Sequence, residues 1–382
     1  MDSKKLILYK NISINKKQSN FLFGNWLINS YKNNYSFVIK SNTLNTSPIE
    51  DDKDIVYKQA IKLTNLLASG LNEVLSLQEK KMYWKTILYP WIYYYTNYIM
   101  SVSRRAETIL KLKKSLKCDI INFDYYKDFV PNNFDQFNEL TGKELWNAPI
   151  IRNIFFFLEK KKSRKKIQFS YIKRKQKKLL KKNSHVTYNT FKDKILKLII
   201  NFFNMLPTRN NQPFIISPYL SNINEALLKI SYFSFPKVFK SPKIIYKSPN
   251  FAIRENLVNI LLKNKKLSKY DIIAINCLKN CLPVSYLECH KKIVKQTEKI
   301  NWPIKPKFIF TSNNHMWDEF FKIWTAKKRS LGTPFFIGQH GANFGTNKSS
   351  VNYSEEIIPD KLFTWGWKIR KKFHIPAFNF KV

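Results

Sequence analysis

Apolar residues change their spacing several times along this chain, and each change predicts an element. Short apolar runs at Leu6–Tyr9 and Tyr35–Ile39 predict strands on either side of an aromatic segment, Phe21–Leu27 (FLFGNWL). From about Asp54 the period becomes helical: Leu63, Leu66, Leu67, Leu71 and Val74 recur every three or four residues. A second helical pattern runs through Trp84, Leu88 and Trp91 towards Leu110, and Pro90 is expected to kink or break it. Cys118–Phe123 (CDIINF) predicts a buried strand, followed by an Asn-rich connection. The lysine-dense segment Lys160–Lys182 predicts a solvated helix or loop insertion; the alternative is a patch for membrane surface or phosphate.

The second half alternates more regularly. A strand from Pro213 (PFIIS) is followed by helices from Asn222 and Asn256, then by a largely helical stretch from Tyr270 to Lys299 interrupted at Pro283. A strand from Lys307 (KFIFTS), a helix over Met316–Ser330 and a strand from Pro334 (PFFIG) complete the pattern. That rhythm predicts an α/β protein with a parallel sheet.

The length of 382 residues admits two domains or one large one, and 44% hydrophobic residues suffice for a sizeable core. No apolar run reaches eighteen residues, because Pro90, Thr96 and Asn97 interrupt the most aromatic stretch, Thr86–Met100, so no membrane span is expected. The N-terminus lacks a long apolar region and a small-residue cleavage site, which places the chain in the cytoplasm. Four cysteines are too few for a disulfide framework, so reduced thiols are expected. The spacing of Cys277, Cys281, Cys289 and His290 fits no standard zinc pattern, and no metal is expected there. The net charge of +41 would attract nucleic acid, anionic lipid or phosphorylated small molecules. Lysine supplies nearly all of it, with only nine arginines among 67 basic residues, which argues against a dedicated reader of nucleic acid.

Glycine locates the candidate chemistry. Roughly 27 glycines would be usual at this length, but the chain has eight, of which five fall between Gly332 and Gly366. Their centre, FFIGQHGANFG (Phe335–Gly345), reads as a strand entering a tight loop. Ligands of open α/β sheets sit beyond the carboxyl ends of the strands, where Gln339, His340 and Gly341 would lie. His340 could contact a phosphate or take a proton near neutral pH. Gln339 could orient a sugar hydroxyl, and Gly341 and Gly345, with Asn343 between them, would shape an anion-accommodating loop. In the plainer reading, the glycines make a turn that the histidine caps. Asp318 or Glu319 could serve as a base near the same edge, although acids in a first helical turn are also favoured by the helix dipole, and Glu355 or Glu356 could bind the acceptor or orient His340. Arg104 and Arg105 could contact an acceptor phosphate. Trp84, Trp91 and Tyr93–Tyr95 could stack on sugar rings, but their helical spacing favours a packed interface.

Thr311–Gly345, then Ser354 with two glutamates, then Asp360–Trp367 (DKLFTWGW), resembles a family of transferases from bacterial O-antigen and surface-carbohydrate clusters. FLFGNWL near Gly24 and Trp26, and Leu71–Trp91, resemble that family's upstream segments. The resemblance implies a GT-B-like enzyme: two Rossmann-like halves facing across a cleft, needing no metal or other cofactor, with a nucleotide-activated sugar as substrate and His340 facing the reaction centre. It further implies an N-terminal acceptor-side domain over 1–345 with a helical insertion at about 54–206. Residues 346–382 would then begin a second Rossmann-like domain that is largely missing, because the family continues past this motif; separately, Ala342 stands where the family tends to show a second glycine, at a position suited to positive φ or close phosphate approach. The acceptor would be a glycan or lipid-linked, and the basic surface would favour peripheral association with anionic membrane at the inner face. Two rivals remain at this point: a non-catalytic basic protein binding nucleic acid or anionic membrane, and an inactive truncated remnant.

Overall fold

The computed structural model describes residues 4–8, 20–23, 35, 37–38, 49–111, 116–121, 130–159, 167–172, 210–234, 239, 241–341 and 353–379. They form two compact units, each built on a five-stranded, wholly parallel sheet. The first unit draws on residues within 1–59, 94–181 and 248–283, and the second on residues within 60–93, 182–247 and 284–382.

The first sheet contains β1 (Lys4–Ile7), β2 (Asn20–Leu22), β3 (Phe37–Val38), β4 (Leu116–Ile121) and β5 (Ile167–Ile172), in the spatial order β3-β2-β1-β4-β5. Strand order therefore reverses between β1 and β4, as in a doubly wound Rossmann-like sheet. Two long helices, α1 (Ile49–Leu75) and α2 (Lys81–Lys111), precede β4, while α3 (Phe134–Thr141) and α4 (Glu144–Glu159) lie between β4 and β5. The expected insertion at 54–206 is thus corrected, because β4 and β5 inside that range are members of the sheet. Within the lysine-dense segment, the run IQFSYI forms β5 and pairs with β4 over its whole length, Leu116↔Ile167 to Ile121↔Ile172.

Pro90 lies inside α2 without ending it. An interior proline costs a helix about 3 kcal/mol. Burying Trp84, Leu88, Tyr89 and Trp91, each 0% exposed, offsets this at roughly 1.5–3 kcal/mol per large apolar side chain. Tertiary packing therefore overrides the local breaker.

The second sheet runs in sequence order through β6 (Phe214–Ile216), β7 (Ile309–Thr311), β8 (Phe335–Gly338), β9 (Lys361–Thr364) and β10 (His374–Pro376). Alternation along the strands covers both faces of the sheet. Phe214, Ile309 and Phe335 are aligned in register and fully buried. On that face Phe214 packs against Trp302 and against Phe321 and Trp324 of the later helix α10 (Glu319–Ser330). Ile215 and Phe310 turn the other way and pack with Phe336, Phe363 and Trp365.

Between β6 and β7 run α5 (Asn222–Ser231), α6 (Phe251–Leu262), α7 (Lys269–Cys281), a 3-10 turn at Val284–Tyr286 and α8 (His290–Thr297). Of these, α6 and α7 belong to the first unit. Arg254 of α6 is 1% exposed and donates to Leu282 O at 2.8 Å and Lys279 O at 3.2 Å, satisfying carbonyls at the end of α7. The units therefore do not follow the division 1–345 and 346–382 expected from sequence. Residues 1–345 contribute to both sheets, and β9 and β10 belong to the second one.

Among the described residues no helix is long and apolar enough to cross a membrane. Cys118, Cys277, Cys281 and Cys289 are buried free thiols, and burial raises the Cys277 thiol to about 12.

Candidate functional site

The carboxyl ends of β6, β7 and β8 bring three short tails together. Ser217–Tyr219 follows β6, Ser312–His315 follows β7, and Gln339–Gly341 follows β8. Ser312 stitches the first two tails, its N–H donating to Ser217 O at 3.1 Å and its hydroxyl to Pro218 O at 3.2 Å. Ser217 and Tyr219 have φ of +47° and +64°, a left-handed backbone that side-chain-bearing residues avoid. Such strain concentrates at functional edges.

His340 stands where the sequence placed it, two residues beyond β8. Its Nδ1 lies 3.1 Å from Glu355 Oε1, and Glu355 is carried by the short helix α11 (Tyr353–Ile357). The same carboxylate oxygen lies 3.8 Å from Nε2 of His315, on the single turn α9 (Asn314–Trp317). Exposure divides the three side chains: Glu355 is 0%, His315 1% and His340 29% exposed. His340 is therefore the member with access to solvent. Tyr219 lies against it with ring planes 15° apart and centroids 6.0 Å apart, and the Tyr219 hydroxyl accepts from Asn313 Nδ2 at 2.7 Å.

Burial sets the electrostatics. Desolvation pushes the Glu355 carboxyl up to about 7, the contact with His340 opposing this in part and the charge of Glu356 adding to it. Desolvation drives the His315 imidazole down to about 3, with smaller contributions from His340 and Lys322, so it is neutral across the physiological range. Neither ring nitrogen of His315 finds a hydrogen-bond partner among the described residues. A carboxyl that exchanges its proton near neutrality, in reach of a partly exposed imidazole, is suited to general acid–base work.

Other expected site residues are placed differently. Gln339 is 1% exposed and spends its amide internally, accepting from Trp365 N at 2.9 Å and Trp367 Nε1 at 2.7 Å while donating to Gly341 O at 2.8 Å. It clasps the β8 tail to the β9 tail and so holds His340 in position. Gln339→Leu strands these partners, and about 2 kcal/mol of stability loss is expected in a denaturant titration. Asp318 is the N-cap of α10, accepting from Phe321 N at 3.0 Å, and also accepts from the Ser241 hydroxyl at 2.5 Å. Gly341 does not have the left-handed φ that favours glycine, and a Cβ there would meet open space. Asn343 and Gly345 lie outside the described residues. Arg104 belongs to the first unit, beside Tyr270, whose hydroxyl donates to Glu107 at 2.9 Å.

His315 and Tyr219 were absent from the sequence reading. The signal for His315 was present: KFIFTSNNH repeats the logic of PFFIGQH, a buried strand followed within four residues by one of only five histidines in the chain.

Fold and site together define a parallel α/β protein whose acid–histidine pair sits at the carboxyl edge of its second sheet. Residues 9–382 match the family described as LIC12162 family transferase, and the chain belongs to that transferase family. No curated protein and no solved structure matches it.

Proposed function

We propose that this transferase moves a sugar, or a related activated group, from a nucleotide donor to a glycan or lipid-linked acceptor of a surface polysaccharide. The observation that carries this reading is the 3.1 Å approach of His340 to the buried Glu355 at the carboxyl edge of a parallel sheet. His340, backed by Glu355, takes the proton from the acceptor hydroxyl. The acceptor oxygen then bonds to the anomeric carbon as the bond to the nucleotide phosphate breaks and the nucleoside diphosphate departs. Two parallel sheets in one chain, the first of them Rossmann-like in strand order, support a GT-B-like arrangement, and the net charge of +41 supports contact with anionic membrane.

The test is release of nucleoside diphosphate from a panel of nucleotide sugars in the presence of glycan and lipid-linked acceptors. Acceptor-dependent release by the full chain, abolished in His340→Ala, is expected. Equal release by both proteins would overturn the reading. A basic nucleic-acid binder would instead show no turnover, and its binding would weaken steeply as salt rises.

A further inference from the structure

The first unit contains a cavity of about 550 Å³ that the His340 site does not use. One wall is a single stripe of α2, in which Tyr94, Tyr98, Ser101 and Arg105 recur at helical spacing. These place an aromatic face, a hydroxyl and a guanidinium along about 16 Å of helix, at 1.5 Å per residue. The facing wall is the turn from α3 to α4, which contributes Asn138, Thr141 and Asn147. Phe23 lies at the carboxyl end of β2, its N–H donating to Ile7 O at 3.0 Å, so the cavity opens where parallel sheets bind ligands. Its volume lies within the roughly 300–1,000 Å³ of small-molecule sites.

We propose that this cavity binds an anionic saccharide, a sugar bearing a phosphate or carboxylate. Aromatic faces suit the C–H face of a sugar ring, and Asn97, Ser101 and Asn138 of the lining suit its oxygens, whereas Asn147 is held by Tyr98, Thr141 and Lys143. Arg105 is the one charged side chain among the described lining residues, with no acidic residue beside it in the lining. Burial lowers its guanidinium from the usual value. A planar guanidinium grips phosphate or carboxylate through paired hydrogen bonds. Anion binding rests on this cavity alone; its identification as the acceptor's place rests on the transferase reading.

The test is calorimetric titration of the full chain with glucose 1-phosphate, glucuronate and uncharged glucose. Both anionic sugars are expected to bind at least about tenfold tighter than glucose, with Arg105→Met losing that preference. Because the chain carries a net charge of +41, inorganic phosphate is the control for diffuse attraction, and it should bind more weakly than glucose 1-phosphate. Ser101→Phe fills the cavity without removing a charge and should abolish binding while the melting temperature stays within a few degrees of wild type. A lipid-linked sugar phosphate in detergent separates the two sources of such a head group, and tight binding of either form supports the site. Undiminished binding in both folded variants, or no binding of any anionic sugar at millimolar concentration, would overturn the proposal. His340→Ala should bind these sugars as wild type does. Binding by the wild-type chain without turnover of any nucleotide sugar would count against the transferase reading alone.

Discussion

Sugar transfer by His340→Ala is expected to fall about 10²–10⁴-fold, the usual contribution of a positioned general base, with little loss of stability because the ring is 29% exposed. Glu355→Gln tests the partner and should act differently. The amide introduced by this substitution would fill the same space and could still orient His340, but it removes the negative charge that would stabilise a protonated imidazole. Burial holds the Glu355 carboxyl near 7, so wild-type kcat/KM should rise as pH increases through about 7 and the carboxylate forms. In Glu355→Gln that limb should disappear along with most of the rate. His340, His315 and Glu356 all face the carboxylate that sets this limb.

Stability gives an independent readout of opposite sense. The native state holds the Glu355 proton up to about 7, whereas the unfolded chain releases it near 4.5, so between these values folding stability falls as pH rises. Glu355→Gln removes that loss and should be more stable than wild type above pH 7, by up to roughly 3 kcal/mol. His315 acts oppositely, because its depressed value makes the fold lose stability as pH falls from 6.5 towards 3, and this dependence should persist in the variant. A variant that is both slower and more stable would identify Glu355 as a group kept for function. Unchanged rate and unchanged pH profile would remove it from the site.

Local patterning made much of this fold legible in the sequence. The helical spacing from Leu63 onward and the buried runs at Phe214, Ile309 and Phe335 correspond to α1, β6, β7 and β8. What escaped depended on partners distant in the chain. The run IQFSYI has strand chemistry, yet its lysine flanks suggested an insertion, and only β4 beside it makes it the edge of a sheet. Helices α6 and α7 follow β6 in sequence but belong to the unit built on β1–β5. At the site, glycine scarcity led to His340 because turns need glycine whatever the tertiary context. His315 had no such marker: its significance comes from Glu355, forty residues later, approaching the same point. Gln339 and Asp318 illustrate the converse, since residue type suggested chemistry where local hydrogen bonding uses both side chains for structure.

Beneath α9 lies a buried charge cluster whose disruption should produce the largest stability effect in the second unit. Lys322 Nζ donates to Tyr286 Oη at 2.8 Å, to Glu319 Oε1 at 2.9 Å and to Met316 O at 3.4 Å, and the Tyr286 hydroxyl donates to Glu319 at 3.3 Å. Lys322 and Glu319 are 0% and 1% exposed, so each buried charge is stabilised by the other. Lys322→Ala leaves the Glu319 carboxylate buried without its counter-ion, and a loss of about 3–5 kcal/mol is expected in urea or guanidinium titrations. The triple variant Tyr286→Phe, Glu319→Leu, Lys322→Met removes every member and should recover most of that loss, because apolar groups of similar volume often match or exceed a buried pair. Stability alone therefore does not account for the cluster. Lys322 also holds the Met316 carbonyl, the residue after His315, and its positive charge helps keep His315 neutral. The triple variant should accordingly fold with near-wild-type stability yet transfer more slowly and protonate His315 more readily as pH falls. That last change is measurable as an upward shift of the His315 imidazole titration by NMR. Full stability with full activity and no such shift would show that the cluster is packing alone.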